Sequence, residues 1–187
     1  MTMCTFKRIC VTNRHLSERS LEEQLEVAFE YSKPDIVILR EKDLYEDEYR
    51  SLAYRVKALC DMHDIKIIIN KYYRVARELH TPVQLSFDDY KLYCANCADL
   101  SVGVSIHSLQ EAAMVGEEGA DFIVAGHIFE TDCKKGLPGR GIDFLTSIVE
   151  KVDIPVYAIG GIRGSNIDKV ASAGASGACQ MSFYMNL

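Results

Sequence analysis

The residues best suited to chemistry in this chain are gathered in the stretch 126–136, GHIFETDCKKG. His127 follows an apolar run, Phe122-Ile123-Val124-Ala125, that reads as a buried strand. It precedes a polar, basic segment holding Thr131, Asp132, Cys133, Lys134 and Lys135. A histidine at a strand end suits proton transfer near neutral pH, because an unperturbed imidazole titrates at roughly 6.5. The competing reading is an imidazole tucked in for packing alone. Residue types leave both open.

Other chemistry-bearing residues stand at comparable places. Leu39-Arg40-Glu41-Lys42-Asp43 follows a short apolar run, and strand alternation would put Arg40 and Lys42 on one face; a solvated charge cluster is the alternative. Asn70 closes another run, where it could bind a ligand or cap the next helix. Gln84 lies within a fourth run, and Ser105 ends a fifth, close to His107. Gly160 and Gly161 end a seventh, and Met181 and Ser182 follow the eighth. Paired glycines let backbone N–H groups approach an anion, so these four residues are candidates for a phosphate cradle.

The elements that must position these residues alternate in type. Short β-branched or apolar runs occur at 9–12, 36–39, 66–69, 82–85, 101–105, 122–125, 155–159 and 177–181. Their composition fits parallel strands buried on both faces. Amphipathic helical patterns fill 21–31, 47–62, 108–118, 142–152 and 166–173, with Ser108 and Glu111 spaced as a capping box. Residues 88–97 read as a short helix or an irregular turn. Repeated strand–helix units predict a (β/α)8 TIM barrel over 1–187 as one domain, with its chemistry at the C-terminal strand ends. Only a few residues follow the eighth run, so the pattern lacks a final helix, and the exposed face this would leave favours a homodimer.

The chain has 187 residues and a formal net charge of −6, which argues against nucleic acid held by bulk electrostatics. No apolar stretch approaches the roughly 18 residues of a membrane span, and no signal peptide is evident, so the expected location is cytoplasmic. Seven cysteines, an odd number, suggest free thiols. Cys94 and Cys97 form a CxxC without a second pair, a weak basis for zinc.

Residues 36–43, 101–112, 120–141 and 155–182 resemble the thiamine-phosphate synthase-like barrels, and most closely their thiazole tautomerase (TenI) branch. The most specific parts are GHIFETDCKKGLPGRG at 126–141, AIGGI at 158–162 and VSIHSLQEA at 104–112. In that family the synthases join a pyrimidine diphosphate to a thiazole phosphate with Mg²⁺. Their pattern has Asn-Asp after strand 3, a Gln two residues before the strand-2 Arg, and Pro where this chain has His. Here Asn70-Lys71, Ile38 and His127 occupy those positions, with Asp88 and Asp89 left to match a second acidic position. The tautomerase branch carries the histidine.

The resemblance therefore implies a metal-free, cofactor-free isomerase that converts a carboxythiazole phosphate tautomer to its aromatic form, with His127 catalytic. It implies Arg40, Lys42, Asn70, Ser105, Thr131, Cys133 and Lys134 around the substrate, and Gly160, Gly161, Met181 and Ser182 at its phosphate. The alternatives are a Mg²⁺-dependent thiamine-phosphate synthase and a non-catalytic thiazole-phosphate-binding or regulatory homologue.

Overall fold

The structure is a computed structural model that describes residues 5–131, 134 and 136–187. Parallel strands β1 (Lys7–Val11), β2 (Ile36–Leu39), β3 (Lys66–Asn70), β4 (Val83–Ser86), β5 (Val102–Ile106), β6 (Phe122–Gly126), β7 (Val156–Ile159) and β8 (Gly177–Gln180) close into a barrel in chain order. Closure is made by β8 beside β1, with Lys7 opposite Gly177 and Ile9 opposite Cys179. The expected eight-stranded barrel is the observed fold.

Two apolar layers explain why the strands read as continuous hydrophobic runs. Ile9, Val11, Ile36, Ile38, Ile68, Phe122, Val124 and Cys179 fill the interior, joined by Tyr157, Ile159 and Met181. Their neighbours Cys10, Val37, Leu39, Ile67, Ile69, Ile123, Ala125 and Ala178 face the helices. Successive strand residues point to opposite faces, so each strand serves both layers. At Gly103 the missing side chain makes room for the Phe122 ring; a Cβ there would lie 1.9 Å from it.

The helices between successive strands are α1 (Leu21–Ser32), α2 (Glu46–Met62), α3 (Tyr73–Glu78), α4 (Phe87–Tyr93), α5 (Leu109–Glu117), α6 (Gly141–Lys151) and α7 (Ile167–Ser172). Helix α1 begins with a Ser20–Glu23 capping box and buries Leu21, Leu25, Ala28 and Phe29. Helix α3 was not visible as a pattern: its buried residues are Val75 and Ala76 alone, too few for a periodic stripe. The ambiguous stretch 88–97 resolves into α4 followed by a 3-10 turn over Cys94–Cys97.

One expectation is refined at the end of the chain, where the final helix is reduced to a single turn. A one-turn helix, α8 (Ser182–Met185), follows β8, and its Tyr184 and Met185 are fully buried. The buried Gln24 side chain of α1 donates to Tyr184 O at 2.8 Å and ties this turn to the barrel wall. The helix-facing side of β8 is thus covered, with Ala178 at 0% and Gln180 at 5% exposure.

Candidate functional site

The interior alternation, continued past the apolar layer, brings polar residues to the C-terminal mouth. Beyond Ile68 comes Asn70, beyond Gly103 comes Ser105, and beyond Val124 comes Gly126, which leads into His127; Arg40 directly follows the end of β2. All lie at the end where barrels of this type carry their chemistry.

At the β1–β2 corner the buried charge is Glu41, not its neighbours. Its side chain accepts from Thr12 Oγ1 at 2.7 Å, from Arg14 N at 3.1 Å and from Arg14 Nη1 at 3.2 Å. Arg14 also pairs with Asp43, and that bond holds the Asp43 carboxyl well below the usual carboxylate range. Thr12 Oγ1 in turn receives Arg40 N at 2.9 Å, so the same cluster fixes the backbone of Arg40. Strand β2 stops at Leu39 and Lys42 sits in an exposed turn. Strand alternation therefore does not relate Lys42 to Arg40, and that part of the sequence argument fails.

Between β2 and β3 the buried Tyr49 hydroxyl donates to Leu39 O at 2.6 Å and accepts from Asn70 N at 3.1 Å. Burial pushes its phenol far up from the ordinary value, so it stays protonated and keeps both bonds. Across β3 to β5 a directional chain runs. Asn70 Nδ2 donates to Gln84 Oε1 at 2.7 Å, and Gln84 Nε2 donates to Ser105 Oγ. Because Ser105 Oγ accepts there, its own proton is left to point elsewhere.

His127 is held differently. The residue is 7% exposed, Nε2 lies 3.3 Å from Leu137 O, and Nδ1 is buried with no hydrogen-bond partner among the described residues. A carbonyl only accepts, so Nε2 carries a proton, and of the two neutral tautomers this contact selects the one with its lone pair at Nδ1. An unsatisfied buried polar atom costs roughly 1–3 kcal/mol, which is why such atoms repay a functional explanation. The backbone around it is fixed: Arg140 N donates to His127 O at 3.0 Å, Ile128 N to Ile159 O at 2.9 Å, and Phe129 N to Gly160 O at 3.0 Å.

The glycine pair does more than the sequence suggested. Gly160 has φ +103°, and a Cβ on it would lie 2.4 Å from His127 Cβ; a Cβ on Gly161 would lie 2.3 Å from Glu130 O. Both glycines are where they are because the segment carrying His127 packs against them. Gly160 and Gly161 follow β7, and Met181 and Ser182 follow its neighbour β8, so the four candidates for a phosphate site lie on adjacent strand ends.

Thr131 and Lys134 are half-buried, and Lys134 N donates to Thr131 O at 3.0 Å. Cys133 lies outside the described residues. The mouth thus brings together His127, Arg40, Asn70, Ser105 and the strand 7 and 8 ends, with Lys42 at its exposed rim. Sequence reasoning passed over Tyr49, and noted Glu41, Gln84 and His107 without giving them a role. Buried polar types within apolar runs were the available signal for Gln84; none marked Tyr49. A cleft of about 460 Å³ lies at the opposite end, lined by Lys57, Asp61, Lys66, His80 and Phe122 among others. None of the candidate residues reaches it.

Known proteins resemble this chain in sequence and in fold. Residues 9–183 match the family profile described as Thiamine monophosphate synthase (TMP-TENI). The "Putative thiamine-phosphate synthase 2" of Aquifex aeolicus is 36% identical over 155 residues, covering 80% of this chain and 82% of that protein. The thiamine-phosphate synthase of Halalkalibacterium halodurans is 32% identical over 186 residues, covering 96% and 88%. Among solved structures, thiamine phosphate pyrophosphorylase from Pyrococcus furiosus superposes with a TM-score of 0.82 at 28% identity, covering 97% of this chain and 88% of that one. No helix among the described residues is long and apolar enough to cross a membrane.

Proposed function

The chain belongs to the thiamine monophosphate synthase family, and within it we propose that this protein is a thiazole tautomerase, moving a proton on a carboxythiazole phosphate to give the aromatic ring. The observation that carries this reading is the Nδ1 of His127 at the barrel mouth, buried and without a hydrogen-bond partner among the described residues. Removing a proton from a ring carbon and returning one to a conjugated carbon needs a group that can both take and give it. Imidazole does so near neutral pH, typically for a gain of about 10²–10⁴ in rate. In this reading Nδ1 takes the proton while Leu137 O holds Nε2–H and keeps the tautomer fixed.

The remaining roles follow from the substrate's charges. A carboxylate suits the Arg40 guanidinium and the Lys42 and Lys134 ammonium groups, with the Thr131 hydroxyl and Cys133 close to Lys134 in sequence. The Asn70–Gln84–Ser105 chain leaves the Ser105 hydroxyl able to donate to an anionic oxygen. The backbone at Gly160, Gly161, Met181 and Ser182 is the proposed phosphate cradle.

A synthase reading has the names of the relatives at 32–36% identity in its favour. The magnesium that the resemblance attaches to that chemistry does not fit the residues present. Lys71 follows Asn70, with its ammonium 5.2 Å from the Tyr72 ring centroid, where the synthase pattern has an aspartate. Of the second acidic pair, Asp89 accepts from Ser86 Oγ at 2.7 Å as part of the α4 cap, and Asp88 pairs with Lys91. A cation at the first position opposes a divalent ion.

The deciding experiment supplies the non-aromatic product of thiazole synthase in the presence of EDTA and follows the aromatic product by UV absorbance or NMR. Turnover is expected. Absence of turnover, together with Mg²⁺-dependent release of pyrophosphate from a pyrimidine diphosphate and thiazole phosphate, would transfer the protein to the synthase reading.

A further inference from the structure

We propose that His107 is a positioning residue for His127, acting through the carbonyl of Gly126; the inference rests on the reading of His127 as the proton-transfer group. His107 Nδ1 lies 2.8 Å from Gly126 O, the oxygen of the peptide that leads directly into His127. Since a carbonyl only accepts, Nδ1 of His107 carries the proton, and it does so in both the neutral and the protonated ring.

The bond stands at a defined place in the sheet. The β5–β6 ladder ends with Ile106 opposite Ala125. The Gly126 carbonyl lies one residue past that last pair, and the His107 side chain reaches it from the residue just beyond β5. The ring therefore extends the ladder by one donor.

The residue that holds it is itself held. Ser108 Oγ accepts Glu111 N at 3.1 Å as the cap of α5, while the Glu111 carboxylate reaches past the cap to accept His107 N at 2.6 Å. A reciprocal box would have returned that carboxylate to Ser108 N, so the expected pattern is shifted by one residue. The result is a line of support, Glu111 to His107 to Gly126, that enters the His127 backbone from the N-terminal side. The bonds at His127 O, Ile128 N and Phe129 N secure it from the other. Gly126 has little room of its own to shift towards β7, because a Cβ on it would lie 2.5 Å from Ile159 Cγ2.

Three variants test this. In His107→Asn the amide nitrogen replaces Nδ1 as donor at similar reach. In His107→Leu the donor is gone, and in His107→Gln it sits one methylene further out. The first readout is ring ¹⁵N NMR of His127 in histidine-labelled protein, which reports its tautomer without any substrate. Wild type and His107→Asn should show the single Nε2–H form, and His107→Leu and His107→Gln a mixture. The second readout is turnover of the carboxythiazole phosphate: kcat should fall about 10–100-fold in the Leu and Gln variants with KM little changed, since misplacing a reacting group by about 1 Å costs up to roughly 10²-fold. The Asn variant should recover most of it, and the pH profile of kcat should keep its midpoint throughout. Unchanged His127 signals in folded His107→Leu, or in His107→Gln if the Leu variant does not fold, would overturn the proposal. A wild type without turnover would instead sink the functional reading, and the NMR comparison would then decide this one alone.

Discussion

The two sides of the barrel mouth are built on opposite principles. From β3 to β5, side chains hold side chains: Asn70, Gln84 and Ser105 bond in sequence, and Tyr49 braces the backbone behind them. From β6 to β7, the backbone is what is held, by Arg140, Ile159, Gly160 and His107, and one ring nitrogen is left with no partner among the described residues. A satisfied network defines a shape and a pattern of donors for a ligand. A fixed backbone carrying an unsatisfied nitrogen keeps a reactive group in place without neutralising it. The first side is suited to binding and the second to chemistry.

The largest stability effect expected from breaking this division comes on the second side. Gly160→Ala would put a Cβ 2.4 Å from His127 Cβ in a backbone with φ +103°, a clash and a strained conformation together. A loss of about 2–4 kcal/mol is expected in denaturant unfolding, along with the loss of turnover. An unchanged midpoint would mean that the His127 segment is not packed on the glycine pair.

On the first side, Gln84→Leu keeps much of the volume and removes both links. Asn70 and Ser105 lose a partner, for an expected loss of about 1–3 kcal/mol. Turnover should separate the two sides: KM rises and kcat is kept, because in the proposed reading this network binds substrate but moves no proton. A fall in kcat at constant KM would contradict the division.

The smallest effect belongs to the rim at Asp43, which is exposed and screened by solvent. Its pKa is held below the ordinary 3.8 by Arg14, so the pair stabilises the fold above that value and the contribution is lost as pH falls through the depressed range. The melting temperatures of wild type and Asp43→Asn should therefore differ slightly at pH 6 and converge on acidification. A gap that widens as pH falls would mean that the pairing with Arg14 is not what holds the carboxyl down.

Much of this was legible in the sequence because two-sided burial leaves a strong trace. Strands that face both the barrel interior and the helices read as unbroken Ile and Val runs, and the ends of those runs pointed to Arg40, Asn70 and Ser105. His127 was visible because a titratable residue directly followed such a run. What the sequence hid depends on contacts between distant residues. Tyr49 looks like any apolar-face helix residue, yet its hydroxyl joins Leu39 to Asn70. Glu41 looks like one charge among several, and only the approach of Thr12 and Arg14 makes it the buried one. The glycine pair was read as making room for an anion, whereas the structure shows it also making room for the His127 segment. Lys42 was placed by strand alternation in a stretch where the strand had already ended.

The central claim, that His127 Nδ1 is the proton-transfer atom, is tested most directly by His127→Gln. Since Nε2 is the bonded nitrogen, the longer glutamine amide is the side chain that can still donate to Leu137 O, while no titratable group remains. The measurement pairs the kcat of this variant on the carboxythiazole phosphate with its melting temperature. The account predicts a stably folded protein whose kcat falls by about 10²–10⁴ at nearly constant KM. A folded His127→Gln protein with wild-type turnover, or one that melts early while keeping its kcat, would show that the imidazole serves packing and not proton transfer.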